Sequence, residues 1–231
     1  MGLVMFGDVV GSRHDSAATT AWLRDLVAEL DSAYGDDRLA PFGFTQGEEL
    51  QGLLAPATDP LRAVLRAALG PGRRHMRWVI VRGEVDEDPI GCEAPATERS
   101  GSAFVVARET IDAVRSGRER LVILTGQAEV DSLLADMAPA LVDMLDGLTE
   151  RQRTVARLAL IEEMRQSEVA DRLKVRRATI SVSFSRARVR SLQRLVAGIR
   201  RVYASGSGDP WQVSTDSDAP APAAPARVST E

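Results

Sequence analysis

LTERQRTVARLALIEEMRQSEVADRLKVRRATISVSFSRARVRSLQRLVAGIRRV, residues 148–202, is a basic helical stretch in an otherwise acidic chain. Residues 1–150 hold 14 Arg/Lys against 25 Asp/Glu, residues 151–205 hold 14 against 4, and residues 206–231 hold 1 against 4. The overall charge of −4 therefore conceals a cationic module. Positive charge concentrated on one small part of a protein attracts a polyanion there, and counterion release from nucleic acid is the usual source of such affinity. Double-stranded DNA is the expected partner.

The pattern within the stretch is more specific than its charge. Thr149 offers an N-cap to a first helix in which Val155, Leu158 and Ile161 recur at helical spacing. Ser167 is expected to cap a short second helix with Val169, Ala170 and Leu173 inside, broken at Lys174-Val175. A third helix begins near Arg177, with Ile180 and Phe184 turned inward. That is the spacing of a helix-turn-helix whose last helix enters the major groove. Arg177, Ala178, Thr179, Ser181, Val182 and Ser185 then fall on or beside the face that meets base edges, while Gln166, Ser167, Lys174, Arg176 and Arg186 flank it at phosphate-holding positions. A basic three-helix bundle with merely solvated arginines would have the same composition. Lys174 stands where such turns often use Gly, and a left-handed backbone there costs about 1 kcal/mol.

Leu192, Leu195, Val196 and Ile199 continue an apolar stripe beyond the third helix. The stripe supplies either the seam of a homodimer that reads two half-sites or a face packing on its own chain. Only Phe184 and Tyr203 are aromatic within residues 151–205, too few for the stacking platforms of a single-strand RNA binder.

The length suits one medium and one small domain. Nothing approaches the roughly 18–20 apolar residues of a membrane span, and Leu3–Phe6 meets Asp8 too soon for a signal peptide, so a cytoplasmic location without membrane contact is expected. Cys92 is the sole cysteine, and His14 and His75 are the sole histidines. An internal disulfide is excluded, and a Cys- or His-based metal centre or a Ser-His-Asp hydrolase is disfavoured. Residues 204–231, rich in Ser, Pro, Ala and Asp, read as a disordered tail in which Trp211 is the one large apolar residue available to a partner.

Before residue 126, strand and helix patterns alternate: Leu3–Phe6, a helix from Ser16 to Tyr34, a hairpin of Phe42–Thr45 and Leu50–Leu54, a helix over Leu61–Leu69, a strand over Met76–Val85, a helix over Ala103–Arg115 and a strand over Leu121–Thr125. The order βαββαβ, then αβ, gives the α+β class and a ferredoxin-like or palm arrangement, with two helices covering one face of an antiparallel sheet. The expected domains are a palm at 1–126, a connecting helix at 127–147, an all-α helix-turn-helix domain at 148–203 and the tail. In such a sheet the end of the first strand neighbours the hairpin, so Asp8 converges with Glu48 or Glu49. Two adjacent carboxylates repel until one is protonated or a divalent cation neutralises them. Mg²⁺ with a nucleotide's phosphates, in a polar surface site, is the functional reading; ordinary acidic residues in a hairpin turn are the alternative.

FGDVVGSR (Phe6–Arg13), FTQGEELQGLL (Phe44–Leu54), RWVIVRGEVD (Arg77–Asp86) and GSAFVVARETI (Gly101–Ile111), followed by TERQRTVARLAL and the basic stretch, resemble SatD family proteins up to about Val202. The resemblance implies a domain distantly similar to the palm of class III nucleotidyl cyclases and diguanylate cyclases, a cyclase-like palm joined to a DNA-binding domain. Asp8 with Glu48 and Glu49 would be the metal carboxylates, although Gly47-Glu48-Glu49 stands where the family tends to have Gly-Asp-Glu. Val105 and Glu109 occupy the positions of a transition-state Asn and Arg, and Arg108, one position away, is the candidate nucleotide-phosphate contact. Each missing donor would cost about 10²–10³ in rate. The expectation is thus a transcriptional regulator that is not an enzyme, with a degenerate nucleotide-sensing or dimerising palm. The alternatives are a metal-dependent nucleotidyl cyclase or nucleotidyltransferase, or a sigma-factor-like protein with RNA polymerase as partner.

Overall fold

The short apolar runs of the first half become strands and the period-3.6 runs become helices. The structure, a computed structural model, describes residues 1–11, 16–45, 49–86 and 94–206. In chain order these form β1 (Gly2–Val9), α1 (Ser16–Tyr34), β2 (Arg38–Phe44), β3 (Glu49–Leu54), α2 (Leu61–Leu69), β4 (Met76–Gly83), α3 (Ser102–Ser116), β5 (Leu121–Leu124), α4 (Ala128–Asp146), α5 (Glu150–Leu160), α6 (Gln166–Arg172), α7 (Arg177–Arg186) and α8 (Val189–Ser205). Cys92, Trp211 and the expected tail beyond Gly206 lie outside the described residues.

The strands make one mixed sheet in the order β2-β3-β1-β4-β5. β1 is antiparallel to β3 and β4, β2 is antiparallel to β3, and β4 runs parallel to β5. The class is α+β. Two details depart from the expected sheet. It is not wholly antiparallel, because α3 is a crossover and returns the chain parallel to β4. Nor is only one face covered. β1 is buried along its whole length, and its alternate residues serve two cores. Leu3 and Met5 join α1, α2 and the C-terminal helices, whereas Val4 and Phe6 pack with Phe104, Ala107, Ile111 and Val114 of α3.

The core on the α1–α2 side runs without a break into the helical end. Leu192, Val196 and Ile199 of α8 are buried in it with Leu134, Ala138, Leu141 and Leu145 of α4. Of the two outcomes open for the apolar stripe of α8, packing on its own chain is the one observed. The far end of α8 is anchored to the sheet. The Arg82 guanidinium lies 3.9 Å from the centroid of the Tyr203 ring, and its Nε donates to the Tyr203 hydroxyl at 3.2 Å and to the Pro56 carbonyl at 3.1 Å. Among the described residues no helix is long and apolar enough to cross a membrane.

Candidate functional site

The register of β1 and β3 places Asp8 opposite Glu49, and that of β1 and β4 places Asp8 opposite Arg77. All three are in phase with Phe6 and Val79, which pack under α3. From α3, Arg108 and Arg115 extend the helical series Phe104, Ala107, Ile111 and Val114 that meets the sheet. Five charged side chains therefore converge at one end of the sheet, from three strands and a helix.

They satisfy one another. Arg115 donates through Nε and Nη2 to Asp8 Oδ1 at 3.1 and 3.0 Å, and through Nη2 to Glu49 Oε2 at 2.8 Å. Arg77 donates to Asp8 Oδ2 at 3.1 Å, Arg108 to Glu49 Oε2 at 2.5 Å, and Gln51 Nε2 to Glu49 Oε1 at 2.8 Å. The Arg108 guanidinium also sits 4.7 Å from the centroid of the Phe6 ring. Burial alone would lower the pKa of Arg115, but its hydrogen bonds and attraction to Asp8 and Glu49 outweigh this and raise it above the ordinary arginine range.

The expected convergence of Asp8 with the hairpin is found at Glu49; Glu48 lies outside the described residues. The surroundings differ from those expected. Asp8 is only 9% exposed and Glu49 3%, so the pair is buried rather than superficial, and guanidinium groups already answer both charges. This donor set suits Arg115, which bridges the carboxylates, and does not suit Mg²⁺, which would have to displace an ion-paired arginine from each of them. Among the described residues no three Asp, Glu, His or Cys side chains form a group able to hold a metal. Val105 and Glu109 lie on the solvent side of α3, away from the carboxylates, while Arg108 reaches over its edge to Glu49.

A second carboxylate-centred cluster ties the sheet to α4. Asp146 accepts from Arg73 at 2.9 Å, pairs with Arg120 and lies 3.1 Å from His75 Nδ1. Burial, then the charges of Arg73, Arg120 and Arg153, push the His75 pKa down, which favours the neutral imidazole; its Nδ1 lies 3.1 Å from Arg120 Nη1.

The helical end spends its cations differently. Thr149 and Gln152 form the reciprocal cap of α5: the Thr149 hydroxyl accepts from Gln152 N at 3.4 Å, and Gln152 Oε1 from Thr149 N at 2.8 Å. Arg165, not Ser167, holds the cap position of α6, where the Glu168 carboxylate accepts its N–H at 2.6 Å; Ser167 lies within the first turn. α6 ends with Lys174 at φ 54°, Val175 N donating to the Ala170 carbonyl at 3.0 Å. This is the left-handed closure that glycine makes most cheaply.

α7 then presents two faces. Ile180 and Phe184 are buried against the helices beneath. Arg177, Ala178, Thr179, Ser181, Val182 and Ser185 are exposed, Val182 by 51%. Around them stand Lys174, Arg176 and Arg186, also exposed, with Gln166 and Ser167 half-buried. Among the described residues the ion pairs of α5–α8 involve only Arg157 and Arg200. The cations flanking α7 thus have no ion-pair partner among the described residues.

Neither the protein-family models nor the curated proteins contain a match to this chain. Its site must be understood from its own geometry. Sequence reasoning missed Arg77 and Arg115, which stand 69 and 107 residues from Asp8. The signal that could have found Arg115 is its place on the Phe104–Ile111 stripe of α3.

Proposed function

We propose that this chain is a sequence-specific DNA-binding transcriptional regulator of SatD type, in which α5–α7 act as a helix-turn-helix with α7 in the major groove. The carrying observation is the exposed face of α7, where small and apolar side chains suited to base edges are framed by cations that pair with no carboxylate among the described residues. Arg177 is the candidate bidentate reader of a guanine, Val182 and Ala178 suit thymine methyl groups, and Lys174, Arg176 and Arg186 serve phosphates.

In this reading the sheet is a ferredoxin-like palm serving as scaffold. The antiparallel order β2-β3-β1-β4 with α1 and α2 as crossovers supports that architecture. The caged Asp8–Glu49 pair favours a palm without cyclase chemistry. A role in nucleotide sensing is the second reading, favoured by Arg108, whose side chain is 45% exposed and can offer donors to a phosphate.

The test is selection of bound fragments from random duplex DNA by the full-length protein, with and without ATP or GTP. Enrichment of a defined sequence is the expected result. Recovery of unenriched DNA, or of none, overturns the proposal, and enrichment that changes with nucleotide supports the sensing role.

A further inference from the structure

The junction of α7 and α8 carries basic residues that the helix-turn-helix reading leaves unassigned. Only Ala187 and Arg188 separate the two helices. Ala187 is buried, and Arg188 takes a left-handed backbone at φ 50°, which turns the chain sharply. This turn opens a cleft lined by Gln166, Ser181, Phe184, Ser185, Arg188, Arg190 and Ser191. Arg188 and Arg190 are exposed, and Arg194 follows one turn later on the same side of α8, opposite the buried Leu192 and Val196. Neither Arg188 nor Arg190 has an ion-pair partner among the described residues.

We propose that this cleft seats a DNA backbone phosphate on the strand opposite the one held by Lys174 and Arg176, with Arg188 and Arg190 as its charged ligands and Ser185, Ser191 and Gln166 as neutral donors. The inference rests on the DNA-binding reading of α7. α7 has ten residues, a length of about 15 Å at 1.5 Å per residue, which is commensurate with a major groove about 12 Å wide. With α7 lying in the groove, cations beyond both of its ends come within reach of the flanking phosphates. Lys174 and Arg176 mark one end, and Arg186, Arg188 and Arg190 mark the other. Placing cations at only one end would leave the helix free to pivot; cations at both ends fix its depth and angle, which base readout requires.

The experiment is fluorescence anisotropy of full-length protein on its selected duplex and on random duplex across a salt series. Arg190→Ala should weaken both duplexes alike and flatten the slope of log K against log salt by about one unit, and Arg188→Ala/Arg190→Ala by about two. Arg190→Lys should restore the slope. Phosphate-ethylation interference with the wild type should mark both strands, and the double variant should lose marks from one strand only. An unchanged slope in the double variant, or marks on a single strand for the wild type, overturns the phosphate seat. If the wild type itself binds neither duplex in a salt-dependent way, the DNA-binding reading falls instead. Melting temperatures equal to wild type would confirm that the variants are folded.

Discussion

At the sheet end three arginines converge on two buried carboxylates, whereas around α7 exposed cations stand with no carboxylate to hold them among the described residues. The same side chain does opposite work in the two places. Arg115 compensates charge that folding has removed from water, and its hydrogen bonds belong to Asp8, Glu49 and Asp112. Arg177 and its neighbours keep their hydration until a partner of opposite sign displaces it. The difference teaches that composition locates cations, but only partner accounting says whether they are structural or available.

The sharpest way to break the contrast is to uncouple the buried cluster. Glu49→Ala should destabilise the fold by about 1–3 kcal/mol, because it removes the acceptor shared by Arg108, Arg115 and Gln51, while the partly exposed guanidinium groups keep water and Arg115 keeps Asp8. Chemical denaturation checks this, and a loss below 1 kcal/mol would mean that the cluster is solvated. Next in size is Arg177→Ala. It should leave stability within about 0.5 kcal/mol of wild type yet cost about 1–3 kcal/mol of affinity at the selected duplex, with little loss on random DNA. Equal losses on both duplexes would recast Arg177 as a phosphate contact.

Lys174→Gly separates the two roles within one residue. Relief of the left-handed backbone should raise stability by about 1 kcal/mol, while loss of the charge should flatten the salt dependence of DNA binding by about one unit. A variant that melts lower than wild type would count against this account of the turn. The smallest effect belongs to His75. Its folded pKa lies below the ordinary value of about 6.5, so between the two values the unfolded chain binds the extra proton and stability falls as pH drops through that window. His75→Gln should remove this dependence in melts compared at pH 7.5 and 5.5. An unchanged pH dependence in the variant would assign the effect to other groups.

Much of the fold was legible because local signals and tertiary structure agree. The run of strands and helices through residue 125, the cap at Thr149, the inward Ile180 and Phe184, and the left-handed strain at Lys174 all follow from spacing and residue type. The opposition of Asp8 and the hairpin was legible from topology. Its solution was not, since Arg77 and Arg115 reach Asp8 across long sequence separations and only the packing of α3 on the second face of the sheet brings Arg108 and Arg115 down to it. The Ser167 cap failed because Glu168 offers the Arg165 N–H a charged acceptor, and charge-assisted bonds outcompete a hydroxyl. The Leu192–Ile199 stripe could not reveal its own partner, because an apolar helix face looks the same whether it meets α4 or a second chain.

The anchoring of Tyr203 on Arg82 has a consequence for how this gene can drift. α8 is a single 17-residue rod, about 25 Å long, clamped to the sheet at one end and carrying Arg190 and Arg194 near the other. Substitutions on its outer side leave that geometry intact. A one-residue insertion or deletion in its middle would instead turn the arginines by about 100° relative to the clamp, or drag Leu192 out of the core. Length along α8 is therefore under tighter constraint than identity.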